Sequence, residues 1–449
     1  METFADCLVL FCVLPFMSLT NLFVKSNVKN FFIVIISLVF LLWCCSVKVI
    51  LGLLILSVCV YFITFLIFGV KSRKLQLCLC TSCVVGVLFF LIFAFCCVYV
   101  IGGNSFFDFE RLVTSLVCMA NVSYLCDVYR KNAQIQRSVI NYLAYVLMLP
   151  KLFLGPAVVY YKFSRQLDNI RVDFSKFVSG VEFFIVGFAE KILFANEFYE
   201  IYNFIASQTA NSLSIMAAWL GAAAGFLSLI FNFMGYGLMS VGLGRMIGFD
   251  LPRNVKGIFF VDSVIDFFRK FNYLVLNYLK TYIFPWWGFK YYGFKFLKTI
   301  IVAFFYVMFF GFSSTCFLTA FYFLAIVFLE KCLAGVNIIQ NLKHFKKIFT
   351  LFLLLIGTVL FQGRGVFNNF SHLGAMFGLS GIFFDVSFVF VLMLIKFLLM
   401  IFILFLIKFL IKSNFLKFKI LKNLIYVKPL GLLILFVFSV VLGLSQIKF

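Results

Sequence analysis

The feature that most restricts this chain is a recurrence: apolar runs of about 20 residues, parted by short clusters of lysine and arginine, from one end of the sequence to the other. A helix of that length crosses the roughly 30 Å hydrocarbon layer of a bilayer, and inside that layer each backbone N–H and C=O must find its partner within the protein. Helices satisfy this segment by segment, so the expected fold class is an all-α polytopic membrane protein. Composition excludes the alternative of a water-soluble domain: 65% of the 449 residues are hydrophobic, 12% are charged and the mean hydropathy is +1.14.

Residues 6 to 23, 31 to 46, 48 to 70 and 76 to 101 are the first expected spans. Lys25 and Lys29 follow the first and the cluster Lys71 to Lys74 follows the third, so the positive-inside rule places the N-terminus outside. The opening "METFADCLVLFCVL" carries Glu2 and Asp6 where a secretory signal carries basic residues, and it reads as a retained span. Gly102 to Asn132 is only patchily apolar and reads as a re-entrant or amphipathic piece. Residues 138 to 162, 176 to 196 and 213 to 247 are further membrane segments. In the last, Gly235, Gly237, Gly242, Gly244 and Gly248 suit close helix contact better than nucleotide binding, since no strand precedes them.

From Asp250 to Lys298 the texture turns polar, and then 297 to 311, 315 to 333, 347 to 362, 386 to 411 and 430 to 446 resume membrane character. Lys412 to Lys428 reads as a basic amphipathic connector lying on an anionic leaflet. The sum is roughly 11 to 13 membrane segments. They form one integral membrane domain, 1–449, with N-terminal spans to 101, a core over 102–380 and C-terminal spans over 381–449.

The formal net charge of +22 sits in clusters between apolar runs, which fits anchoring against anionic lipid and gives no basis for a nucleic-acid partner. Most of the 14 cysteines lie inside apolar runs, where Cys acts as a small hydrophobe. "CLCTSC", Cys78 to Cys83, has metal-like spacing but neither His nor an acid beside it, so no metal is expected.

The polar segment raises the functional question. In "DFFRKFNYL", Asp266 to Leu274, charges interrupt an aromatic run, and the spacing of Asp262, Asp266 and Arg269 allows all three on one helical face. Two readings remain open from spacing: an interfacial helix facing headgroups, or charges lining a wet passage within the bundle.

Several stretches follow one another in an order that resembles the membrane-bound O-acyltransferase (MBOAT) family. They are "NVSYLCDVYRKN" (Asn121 to Asn132), "MLPKLFLGPAVVYYKF" (Met148 to Phe163), "FVSGVEFFIVGFAEKILFAN" (Phe177 to Asn196), Trp219 to Asn254, "DSVIDFFRKFNYLVLNYL" (Asp262 to Leu279) and "FQGRGVFNNFSHLGAMFGL" (Phe361 to Leu379). The likeness is to the bacterial branch that holds the alginate O-acetyltransferase membrane subunit. It implies a bundle around a central channel in the inner membrane, where an acyl thioester donor (acetyl-CoA or an acyl carrier) meets a glycan acceptor or a periplasmic acyl-relay partner protein. No permanently bound cofactor is implied. The family pattern would put Asp262, Asp266, Arg269, Lys270, Arg130 and Arg245 along that channel or its substrate.

The family's two histidines are missing. One should close the segment matched by "DFFRKFN", where Asn272 stands; the other belongs to a Gly-Leu-Trp-His-Gly motif matched by "GFSSTCFL", where Ser314 stands. An amide is no base, and a hydroxyl without a neighbour to activate it is a poor one. The substitutes within reach of the sequence are a carboxyl at Asp262 or Asp266, Ser314 as nucleophile, and the only two histidines, His344 and His372. Three readings follow: an O-acyltransferase acting on a cell-envelope polysaccharide through an unusual base; a catalytically silent scaffold or assembly partner; and a transporter using the passage.

Overall fold

The computed structural model describes residues 26–101, 109–154, 158–168, 170, 173–208, 213–255, 257–258, 261–271, 273–283, 295–310, 313–333, 343–362, 365–383, 387–412 and 427–445. The expected first span, 6 to 23, and most of the basic connector at 412 to 428 lie outside them. The described residues are helical or irregular, with no strand. The chain is an all-helical polytopic membrane protein. Among the described residues, the helices long and apolar enough to cross a bilayer cover 47–69, 73–92, 112–129, 215–246, 314–332 and 388–406, with shorter apolar helices over 28–44, 139–152 and 431–442.

The chain divides into two compact units, and the helices over 174–189, 215–246 and 264–271 each have residues in both. The first, built from residues up to 184 with 239–256 and 268–313, holds α1 (Ser26–Cys44), α2 (Val47–Gly69), α3 (Arg73–Ile101), α4 (Phe109–Tyr129), α5 (Val139–Leu147), α6 (Leu149–Leu154), α7 (Tyr160–Asp168) and most of α8 (Phe174–Ala189). It also takes the end of α10 (Ile215–Met246), the end of α11 (Val264–Phe271), α12 (Tyr273–Tyr278) with a π-helical turn over Leu279–Ile283, and α13 (Lys295–Phe310).

Its hub is α4, which packs against α2, α3, α5, α6, α7 and α13. This corrects the expectation of a re-entrant or amphipathic piece over 102–132: the helix is one of the membrane-length set, and 89% of its apolar window is buried in protein. Its patchy hydropathy has a physical cause. Thr114, Ser115, Asn121, Ser123 and Asp127 are all buried in protein, where Asn121, Ser123 and Asp127 bond to neighbouring elements and Thr114 to the Glu110 carbonyl of its own helix.

The single segment expected over 138 to 162 is three helices, α5 to α7. Ser138 caps α5 by accepting the Asn141 N–H at 3.4 Å, and Pro150 sits at the start of α6, where a missing N–H is tolerated. The glycine-rich run behaves as expected at its closest crossing. A Cβ on Gly180 would stand 2.8 Å from the Gly242 carbonyl oxygen and one on Gly242 would stand 2.6 Å from that of Gly180, so α8 and α10 meet backbone to backbone. Gly237 faces open space, and Gly248 adopts φ 98° where the chain turns off α10.

The second unit comprises 185–238, 257–267 and 314–449. A π-helical stretch over Glu190–Asn196 continues α8 into α9 (Glu197–Ala206). Ser228 on α10 donates to the Ala195 carbonyl at 2.9 Å, satisfying an acceptor in the widened turn. The start of α11 follows, then α14 (Ser314–Leu333), α15 (Lys343–Gln362), α16 (Val366–Met376), α17 (Phe388–Lys412) and α18 (Val427–Ser445). Helix α17 is the most apolar of the spans and only 11% of its window is buried. It seats Phe390 and Met400 in the unit's core, stands Phe397 edge-on to Phe198, and pairs Lys396 with Glu197 at 2.5 Å and Glu200 at 2.9 Å on α9. A charge in mid-span pairs with acids on a neighbouring helix, as the cost of bare charge in hydrocarbon requires.

Candidate active site

The residues singled out by the family pattern fall into four groups. Arg130 follows the last turn of α4, which closes with Lys131 at φ 61° and the Asn132 N–H bonded back to the Asp127 carbonyl at 2.9 Å. Its guanidinium donates to the Thr281 carbonyl and lies over the Tyr282 ring, 5.9 Å from the centroid. Arg245, on the last turn of α10, donates to Ser179 Oγ at 2.6 Å and stands 4.5 Å over the Phe183 ring, whose centroid also receives Arg253 at 4.7 Å. Both arginines are engaged in tying helices of the first unit together.

The third group is the polar run itself. Helix α11 begins at Val264, so Asp262 precedes it and the three charges do not share one helical face; only Asp266 and Arg269 belong to the helix. The reason is Ser263, which caps the helix by accepting the Asp266 N–H at 3.0 Å. The two N–H groups before it go to an acid the sequence reading did not single out. Glu330, near the end of α14, accepts from Val264 at 2.8 Å and from Ile265 at 3.1 Å. Asp262 is exposed and reaches Lys347 of α15 at 3.7 Å. Arg269 is exposed and Lys270 half-buried; Asn272 lies outside the described residues.

Ser314, the fourth, is exposed at the first position of α14. It stands sixteen residues from Glu330 on one helix, about 24 Å at 1.5 Å per residue. The start of α11 is therefore held at the end of α14 remote from Ser314. The pairing of α14 with α15 shows what lies near Ser314 instead. Tyr322 donates to the Leu353 carbonyl at 2.9 Å, Phe323 packs on Gly357, and Glu330 and Lys347 both reach the segment before and at the start of α11. The two helices are thus antiparallel, with Ser314 level with the last turn of α15 around Gln362.

Beside the exposed Ser314, that end of the hairpin carries buried polar groups. Helix α16 folds back on it: Asn369 Nδ2 donates to the Leu360 carbonyl at 2.7 Å, and α16 packs on both α14 and α15. From α9, Tyr202 donates to the Gln362 carbonyl at 2.8 Å. Three residues past Asn369, His372 Nε2 lies 3.1 Å from the Ala218 carbonyl of α10, with the ring 9% exposed. Burial pulls the imidazole pKa below its usual value, against a smaller upward pull from the Ala218 carbonyl. His344 lies at the start of α15, the opposite end.

Sequence reasoning also passed over the acid at the centre of the first unit. Asp127 Oδ2 accepts from the Tyr161 N–H at 2.9 Å and the Tyr282 hydroxyl at 2.6 Å. Ser123, one turn earlier, accepts from the Tyr160 N–H at 3.0 Å and donates to Tyr282 at 2.9 Å, while Tyr278 donates to the Met119 carbonyl at 2.8 Å. These bonds fasten the stretch after Asn272 to α4. The signal was present in "SYLCDVYR", where polar residues recur one turn apart on an otherwise apolar helix.

Comparison with known proteins decides what this architecture is. The model of the membrane-bound O-acyltransferase family matches residues 50–371. The chain belongs to that family. Among individual relatives, a probable alginate O-acetylase AlgI of Pseudomonas fluorescens is 31% identical over 183 residues, 40% of this chain and 34% of that protein. The AlgI of Azotobacter vinelandii is 29% identical over 182 residues, 40% and 34% of the two chains. A peptidoglycan O-acetyltransferase of Helicobacter pylori is 23% identical over 200 residues, 38% of each. The matched stretch thus spans about a third of the length of those relatives.

Proposed function

We propose that this MBOAT chain transfers an acyl group, acetyl in the first instance, from a thioester donor to a hydroxyl of a cell-envelope polysaccharide. The observation that carries the reading is the match of the family over 50–371, with relatives named for O-acetylation of two different glycans, alginate and peptidoglycan. The donor as acetyl-CoA or an acyl carrier, a periplasmic acyl-relay partner, a bacterial inner-membrane location and an external N-terminus are parts of the same proposal, supported by the resemblance and by the lysine distribution.

Chemically the reaction needs three things: a passage for both substrates, groups that position them, and a base for the hydroxyl proton. On this reading Asp266, Arg269 and Lys270 of the polar run are the candidates for the first two, and Ser314 and Asn272 stand where the family resemblance implies the third; Arg130 and Arg245 are engaged between helices of the first unit, and Asp262 is exposed against Lys347. The silent-scaffold alternative is favoured by one observation, the absence of imidazole at both positions. The test is transfer of labelled acetate from an acetyl thioester by the purified chain, beside a variant carrying Asn272→His and Ser314→His. Turnover by the native chain supports the enzyme; turnover gained only in the double variant supports the scaffold.

A further inference from the structure

We propose that His372 is the base of this acyl transfer, its Nδ1 taking the proton of the attacking hydroxyl. The inference rests on the acyltransferase reading above and goes beyond the positions that the family pattern marks. Three observations carry it.

The first is the tautomer. A backbone carbonyl only accepts, so the contact between His372 Nε2 and the Ala218 oxygen at 3.1 Å requires the proton on Nε2. In a neutral ring the lone pair then belongs to Nδ1. A carbonyl that fixes one nitrogen as donor leaves the other as a defined proton acceptor, which is what general base catalysis needs.

The second is position. Ser314 begins α14 at the end of the antiparallel pair where α15 finishes, and α16 folds back onto that end through Asn369 and packs on α14 itself. The lost imidazole of the family and the imidazole this chain keeps therefore belong to the same end of one helical layer. His344 lies in the first turn of α15 at the other end, where Lys347 and the tether from Glu330 also belong.

The third is that α10 makes room for the ring. A Cβ on Gly221 would come 3.4 Å from His372 Cε1 and 2.8 Å from Ile205, and one turn further on Gly225 is faced by Tyr202 and Gln362. The notch admits His372 against the backbone of α10, beside polar groups of α9 and α15. Asn369 Oδ1 and Gln362 Oε1 are buried in the same quarter with no protein donor, as befits a place that receives a hydroxyl-bearing or hydrated ligand.

The step balances without a further reactant. The acceptor hydroxyl gives its proton to Nδ1 as its oxygen bonds to the thioester carbonyl carbon; the carbon–sulfur bond then breaks, and the proton on Nδ1 passes to the departing thiolate. The ring ends neutral, with its Nε2–H still on Ala218.

The experiment uses the full chain in lipid nanodiscs, labelled acetyl-CoA as donor, and alginate oligosaccharide or a peptidoglycan fragment as acceptor. His372→Gln keeps a donor for the Ala218 carbonyl but removes the base, and it is expected to lower kcat about 10² to 10⁴-fold with little change in KM. His372→Ala should fall as far, and added imidazole should restore part of its rate. Activity of His372→Gln within about twofold of native overturns the proposal, as does a loss that imidazole cannot restore. If both variants lose the folded state, the ring is a tie between α10 and α16 and the proposal falls. A native chain without turnover on either acceptor sinks the acyltransferase reading itself, an outcome distinct from all of these.

Discussion

The α4 hub of the first unit and the α14–α15 pair of the second hold their polar groups in opposite ways. Around α4, an acid and several hydroxyls are sunk among helices and every bond named above runs to a neighbouring element: Asp127 to Tyr161 and Tyr282, Ser123 to Tyr160 and Tyr282. Along α14 and α15 one named bond, Tyr322 to the Leu353 carbonyl, joins the helices at mid-length, and the other polar contacts to neighbouring elements named above lie at the two ends. Glu330 and Lys347 hold the start of α11 at one end; Ser314, Gln362, Asn369 and His372 gather at the other. Dense interior bonding fixes a scaffold, whereas at the Ser314 end of the pair the buried side-chain oxygens of Asn369 and Gln362 have no protein donor. The difference separates the motif residues that keep the fold from those that would do chemistry.

The largest effect is expected at Asp127. Replacing it by Ala leaves a buried N–H at Tyr161 and a buried hydroxyl at Tyr282 without their acceptor, and hydrogen bonds to a charged group are worth about 1.5–3 kcal/mol each. Asp127→Ala should therefore lower unfolding stability by about 3–5 kcal/mol, measured by denaturant titration in micelles. A double cycle with Tyr282→Phe should show strong coupling. Additive losses would mean that the network is a set of independent contacts and would erase the contrast with the second unit.

Next comes the crossing of α8 and α10. Gly242→Ala would push a Cβ to 2.6 Å from the Gly180 carbonyl, and neither backbone can yield cheaply; a cost of about 1–3 kcal/mol follows. Gly237→Ala is the internal control. Nothing stands within 4 Å of its would-be Cβ, so helix propensity alone should make it neutral or stabilising by up to about 1 kcal/mol. Equal effects at the two positions would refute the close approach.

Much of this was legible beforehand. Apolar periodicity placed 48 to 70, 213 to 247, 315 to 333 and 386 to 411 within a residue or two of α2, α10, α14 and α17, because the signal is long and hydrocarbon leaves no alternative to the helix. The reading failed at α4, where hydropathy cannot tell lipid from protein as the neighbour of a polar side chain. It failed again at Asp262, since spacing assumed a helix that Ser263 delays by two residues. Glu330 was not singled out at all, and His372 was named only as one of the two histidines, with no spacing to say what it faces. Their partners lie 66 and 154 residues away, and only the folded chain brings them together.

The smallest effects belong to the tether at the remote end of α14, and they sharpen the comparison from the other side. Glu330→Ala removes the acceptor for two N–H groups at the start of α11, which Ser263 and solvent replace in part, so a loss of about 1–2 kcal/mol is expected. Lys347→Ala touches only an exposed pair at 3.7 Å to an Asp262 side chain that is 70% exposed, and it should change stability by less than about 1 kcal/mol. The informative quantity is how each alters amide exchange in 264–267. If Glu330 is the tether, Glu330→Ala speeds exchange at Val264 and Ile265 while Lys347→Ala leaves both unchanged. Were the two variants to behave alike, the helix start would be held by charge in general, and the geometry of two bonds from one carboxylate would have no separate consequence.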